Sequence, residues 1–273
     1  MASRRKYRNT WLRWHGQYER RAYRRFIQVF KDWGNGIKWS DLNEQNYKEL
    51  IKDGVNGRFL NEAYYDVYTT IGSKHGGRVG RDINREMKAF TPEAFLEVFL
   101  RDIVTYLQQP FLLRRIVTVE QTYMDAIFKM IQQRFTEGMG VEQIQREMRK
   151  IVMRPTFYRW QALRIARTET TAAANFGASR ASTTSGLVTV KEWISAQDAR
   201  TRRIPKAEFD HYNMDGETVK EHEKFAVPHK WGGVDYLEYP GDPKGQPGNT
   251  INCRCTVVRV PLRDANGRLV TTG

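Results

Sequence analysis

The chain has 273 residues, 40% of them apolar and 12% aromatic, which is enough for one large core or two modest ones and excludes wholesale disorder. It contains no run of eighteen apolar residues, so no membrane span is expected, and its charged, Trp- and Tyr-rich start fits neither a secretory signal nor a transit peptide. The net charge of +14 is unevenly placed: residues 1–38 carry eleven basic side chains against Glu19 and Asp32, which gives nine of the fourteen.

A basic N-terminal arm of this kind is an electrostatic footprint for nucleic acid or for an acidic protein surface. Its cations Arg4, Arg5, Lys6, Arg8, Arg13, Arg20, Arg21, Arg24 and Arg25 interleave with Tyr7, Trp11, Trp14, Tyr18 and Tyr23. Base stacking with phosphate neutralisation uses this mixture. The plainer reading packs the aromatics on the rest of the chain and leaves the arginines solvated.

Within 1–38, the spacing of Tyr23, Phe26, Ile27 and Phe30 predicts a helix over 17–33, stopped by Gly34-Asn35-Gly36. A helical region then occupies 39–185. Its first amphipathic stretch, 41–71, is interrupted at Gly54 and Gly57 and runs into Gly72-Ser73-Lys74-His75-Gly76-Gly77, read as flexible. Thr91-Pro92-Glu93 starts a helix that Pro110 closes, and Thr118-Val119-Glu120-Gln121 matches a capping box for a helix reaching Glu137. Gly138-Met139-Gly140 breaks the chain before a helix over 141–153, and an Ala-rich helix is expected over 156–182.

The pattern changes near Gly186, and 186–273 reads as a small α+β domain with a short tail. Val188, Val190, Trp193 and Ile194 are strand material, and Met214-Asp215-Gly216-Glu217 is a hairpin turn signal. The stretch from Tyr239 to Asn249 is too rich in Pro and Gly for a regular element, and a strand is expected through Cys253, Cys255, Val257 and Val258. The fold class is therefore α+β, a long helical region followed by a small mixed domain.

Five segments stand in a distinctive order: Ala166-Arg167-Thr168-Glu169-Thr170, the run from Trp193 to Arg202, His211 with Asp215-Gly216, the run from Tyr239 to Pro243, and Asn252-Cys253-Arg254-Cys255. Over about residues 140–260 this set resembles the Mu protein F-like minor head proteins of phages, whose pattern is an ARTET helix, W-x-S-x-x-D-x-R-T-R, H…DG and N-C-R-C. The resemblance implies a non-enzymatic virion component acting in head morphogenesis. It further implies assembly in the host cytoplasm, a place inside the capsid at the portal vertex, and the portal protein and packaged double-stranded DNA as partners, with major capsid or scaffolding protein beside them. One departure is local: in much of the family the His follows Arg-Thr-Arg almost at once, whereas here 203–210 intervene.

Cys253 and Cys255 are too close for an unstrained disulfide, which favours a reducing compartment. Two residues apart on a strand, they would project together, and with His211 and Asp198 they can complete a tetrahedral zinc site. The plainer alternative is a buried Cys253, with Asp198 and His211 hydrogen-bonding loop backbone. Arg167 and Glu169 face different ways on their helix, and Arg167 is expected either to reach Asp198 or to stay solvated. A second function, a DNA-processing enzyme or zinc-dependent nucleic-acid module, would use His211 with Asp210, Asp215 or Glu217 as acid and base. No nucleophile elbow or P-loop accompanies them, and the eighteen residues after Cys255 are too few for a toxin or enzyme domain.

Overall fold

The helical period of the basic stretch extends upstream of Gln17. Trp11, His15, Tyr18, Ala22, Phe26, Val29, Phe30 and Trp33 share one face, and all are buried. In the computed structural model, which describes residues 4–86 and 90–272, they are the inner face of a single helix, α1 (Arg4–Gly36). The expected helix over 17–33 is thus the second half of a longer one. The preceding residues are held because Trp11 and Tyr18 have a core to enter.

Next come α2 (Tyr47–Gly54) and α3 (Gly57–Val67), then a π turn (Tyr68–Gly72) that leads directly into α4 (Ser73–Ile83). The Gly72–Gly77 stretch, expected to be flexible, is helical and largely buried. Its glycines remove side chains where two backbones cross. A Cβ on Gly76 would stand 2.5 Å from the Gly177 carbonyl oxygen, and one on Gly177 would overlap the carbonyl oxygen of Gly72.

α5 (Pro92–Leu107) and α6 (Pro110–Thr136) each begin on a proline. Pro110 therefore opens α6 as well as following α5, and Thr118 lies inside it. The Thr118 hydroxyl donates back to Arg114 O at 2.7 Å, so it forms no capping box. Gly138, at φ +75°, ends this helix before α7 (Val141–Val152) and α8 (Pro155–Thr183). Among the described residues no helix is long and apolar enough to cross a membrane.

Three antiparallel strands, β1 (Thr189–Ile194), β2 (Thr218–Lys220) and β5 (Thr256–Pro261), form a sheet in the order β2-β1-β5. Trp193 stands opposite Val257 in that ladder. A separate hairpin pairs β3 (Phe225–Pro228) with β4 (Val234–Leu237), and a one-turn helix, α9 (Pro247–Thr250), precedes the cysteine segment. The Met214–Glu217 turn, with Gly216 at φ +93°, leads into β2 and does not join two adjacent strands. One buried apolar cluster runs from Trp11 to Val257, so helices and sheet share a core.

Two predictions follow from this packing. Alanine is favoured over glycine inside a helix by about 1 kcal/mol. Gly177→Ala should nevertheless destabilise, by about 2 kcal/mol or more in urea melts, because backbone must move to admit the methyl. The second concerns His15 and His75, which are 2% and 0% exposed. Burial, aided by Arg254 at His15 and by Arg78 at His75, lowers both to about 3 from 6.5. Both rings are neutral when folded and take up protons on unfolding below pH 6.5. Their contribution is therefore complete above 6.5 and is lost as pH falls toward 3, by about 1.4 kcal/mol per unit for each ring. Urea melts at pH 7.5 and 5.5 should differ by about 3 kcal/mol, and His75→Phe should remove roughly half of that dependence.

Candidate functional site

Between Thr168 and Ala178 every residue of α8 is buried, including Thr168, Thr171 and Asn175. Polar groups in that position must find partners, and they find the backbone of residues 252–256. The amide of Asn252 donates to Thr168 Oγ1 at 3.0 Å, the Thr171 hydroxyl donates to Cys253 O, and Asn175 Nδ2 donates to Cys255 O at 3.2 Å. Asn175 also bonds Pro240 O at 2.9 Å and accepts from the Thr256 hydroxyl at 2.9 Å. Spaced i, i+3, i+7, the three side chains form a polar ladder along one helical stripe. Asn252, at φ +59°, occupies the left-handed region that asparagine tolerates, and so turns the chain into the ladder.

The cysteines precede β5 and are not part of a strand. Their carbonyls face α8, and both thiols converge on one imidazole atom. His211 Nδ1 lies 3.6 Å from Cys253 Sγ and 3.6 Å from Cys255 Sγ, and the three ligand atoms lie within 4.8 Å of one another. All three residues are at most 2% exposed. On the far side of the ring, Nε2 meets Asn249 Oδ1 at 2.5 Å, while Asn249 Nδ2 donates to Asp235 Oδ2 at 2.9 Å. Asp235 accepts from Nδ2, which turns the amide oxygen toward His211 and puts the imidazole proton on Nε2. The Nδ1 lone pair therefore faces both sulfurs.

Burial raises the Cys253 thiol, but the Cys255 hydrogen bond and the Arg202 charge outweigh it and hold Cys253 below the usual cysteine value. Burial and the Cys253 bond push Cys255 well above it.

The 203–210 insertion leaves this geometry intact. The amides of His211 and Tyr212 both donate to Arg202 O, at 3.0 and 2.9 Å, so the loop goes out and returns to its starting point. His211 is presented as though it followed Arg202 directly.

Asp198 does not join the cluster. Its Oδ1 accepts from Arg254 Nη2 at 2.6 Å and from the Arg200 amide at 3.0 Å. Burial opposes its charge, yet these donors hold its carboxyl below the ordinary value. Arg167, the other residue expected at Asp198, instead pairs with Glu19 on α1 at 3.0 Å. Glu169 points the opposite way, to Tyr68 Oη at 2.8 Å, Tyr64 Oη at 3.3 Å and Arg115 Nη1 at 3.4 Å. Two of the three carboxylates considered as acids and bases hold neighbouring chain: Asp210 holds Asn213, and Asp215 holds Arg8 Nη2 at 2.6 Å and the Ser195 amide at 2.8 Å.

The nine cations proposed for DNA divide in two. Arg4 pairs with Glu192, Arg8 with Asp215, and Arg21 and Arg25 with acids of α3. Lys6 is exposed and carries a contact of its own. Arg5, Arg13, Arg20 and Arg24 are exposed and form no ion pair among the described residues. A cleft of about 590 Å³ between α6, α8 and the 243–251 loop adds Arg114, Arg164 and Lys244 to the basic surface. Thr171, Asn175 and Asn249 escaped the sequence reading. For the first two a signal existed, polar residues at helical spacing in an Ala-rich segment; Asn249 had none.

Asn175→Ala should show how far the cysteine segment depends on the ladder. It strips partners from two buried carbonyls and leaves a cavity, so a loss of about 3 kcal/mol is expected in urea melts. Backbone amides of 253–257 should exchange faster as well.

Neither a curated protein nor a solved structure matches the chain. The sequence model of the family described as Phage Mu protein F like protein matches residues 125–258, from the middle of α6 into β5. That span contains α8, the ladder, His211 and both cysteines. Over that span, just under half of the chain, it is similar to the Phage Mu protein F-like family, which supports a phage head morphogenesis protein.

Proposed function

We propose that the chain is a minor head protein acting at the portal vertex inside the capsid, and that the outer face of α1 contacts packaged double-stranded DNA. The carrying observation is the shape of that face. Arg13, Arg20, Arg24 and Lys31 are spaced 7, 4 and 7 residues apart, so they line up opposite the buried Trp11–Trp33 face, and all four are exposed. The helix spans roughly 50 Å at 1.5 Å per residue, long enough to follow several phosphates. No base-reading motif accompanies it, so the contact is to backbone and carries no sequence preference.

A different surface suits the protein partner, the portal or a neighbouring capsid or scaffolding subunit. The β3–β4 hairpin exposes Trp231, Val234 and Tyr236 at 71%, 42% and 60%, an aromatic patch of the kind that interfaces bury. Its separation in sequence from the α1 stripe allows DNA and protein contacts to be tested apart.

Mass spectrometry of purified procapsids and virions should detect the chain in both, and its absence from both would sink the assembly reading. For DNA, deleting the arm is uninformative because Trp11 and Tyr18 belong to the core. The triple variant Arg13→Gln/Arg20→Gln/Arg24→Gln removes charge alone. It should lower the slope of log affinity against log salt by about 2 to 3 and weaken all duplex sequences alike. An unchanged slope would remove the DNA contact while leaving incorporation into heads as a separate result.

A further inference from the structure

The His211, Cys253 and Cys255 cluster is unexplained by head assembly or by the basic stripe. Its three donor atoms converge from two separate loops, those around 202–211 and 249–255, and each loop is fixed from behind. The polar ladder of α8 holds the cysteine carbonyls, and Asn249 with Asp235 holds the far nitrogen of the imidazole. We propose that His211 Nδ1, Cys253 Sγ and Cys255 Sγ bind one zinc-class divalent cation.

Three observations carry this assignment. The first is distance. With zinc–sulfur bonds of about 2.3 Å and zinc–nitrogen bonds of about 2.0–2.1 Å, adjacent sulfur and nitrogen ligands of a tetrahedron stand about 3.6 Å apart. Both S···N separations here are 3.6 Å. The second is the direction of the lone pair. Nδ1 can accept one S–H hydrogen at a time, yet it is equidistant from two sulfurs, which a single cation between all three atoms satisfies. The third is the backing of the histidine. Metal-bound imidazoles usually donate their other N–H to an oxygen that is itself held, and His211→Asn249→Asp235 is such a chain.

Sulfur and imidazole donors select zinc over calcium or magnesium, which prefer oxygen. Both thiols release their protons to solvent as the cation binds, so one divalent charge meets two thiolates and the site is neutral. The chain supplies three ligands, and the fourth tetrahedral position falls to a water or to a donor from another molecule. Asp198 is not that donor, because Arg254 holds it.

The test is metal analysis of the full-length chain, purified under reducing conditions, followed by titration with cobalt(II) as an optical probe of the zinc site. One equivalent of zinc per chain is expected, and cobalt should give a thiolate-to-metal charge-transfer band with tetrahedral visible bands. Cys255→Ser should abolish the charge-transfer spectrum or reduce it strongly. Asn249→Ala leaves all three donors in place and keeps the test valid if the cysteine variant fails to fold; it should weaken zinc binding 10- to 100-fold. Asp198→Asn should leave affinity unchanged. A wild-type chain that takes up neither ion at equimolar micromolar concentration overturns the assignment, as does cobalt binding without the thiolate band. Binding unaltered by both Cys255→Ser and Asn249→Ala would equally place the metal elsewhere.

Discussion

Everything in this fold is arranged around a helix with no solvent face. From Thr168 to Ala178, α8 is enclosed by α1, α4, the π turn and the segment after α9. Apart from Phe176, which stacks on Tyr106, enclosure on all sides restricts side chains to two kinds. Where another backbone must come close the residue is small, as at Gly177 against Gly72 and Gly76. Where the neighbour is irregular chain, whose carbonyls have no ladder of their own, the residue is a hydrogen-bonding one. Thr168, Thr171 and Asn175 are the second kind, and the cysteine segment depends on them for its backbone partners.

The same constraint explains α1. A 33-residue helix rich in arginine would be marginal alone, since most helical stability in proteins comes from packing an apolar face. Here α8 supplies the surface for that face. The N-terminal turns then reach beyond α8 to the sheet: Trp11 Nε1 donates to Arg254 O at 2.7 Å, Arg8 reaches Ser195 O at 2.7 Å, and Arg4 pairs with Glu192. Four of the nine cations of the basic arm therefore close the molecule on itself, while Arg13, Arg20 and Arg24 are left on the outer stripe.

Features set by local chemistry were legible in the sequence. The Gly138–Gly140 break, the limits of α7 and α8 and the strand at Val190–Ile194 all fall close to where propensity and turn residues put them. Misreadings arose where tertiary contact overrode a local signal. Gly72 and Gly76 look flexible until a second helix is laid across them, and Thr118 looks like a cap until Pro110 has already started the helix. The structure brings together His211, Cys253 and Cys255, which residue type alone had grouped. Asp198 stands apart from them because Arg254, lying between the cysteines, takes its carboxylate, which sequence order cannot reveal. Asn249 was invisible for a related reason: nothing local distinguishes an amide that orients a ring 38 residues away.

The ladder and the cluster meet in one short segment, and that has a mechanical consequence. His15 on α1 approaches Thr171 Oγ1 at 2.9 Å, and the Thr171 hydroxyl donates to the Cys253 carbonyl, so the imidazole must be the donor to threonine. The carbonyl side of the cysteine segment is thus tied to the first helix of the chain, while its thiol side faces His211 and, through Asn249, the β4 residue Asp235. The first helix, α8 and the backbone that positions the sulfurs are thus joined by two consecutive hydrogen bonds. The connection needs no long pathway, because three elements distant in sequence share a single buried hydroxyl.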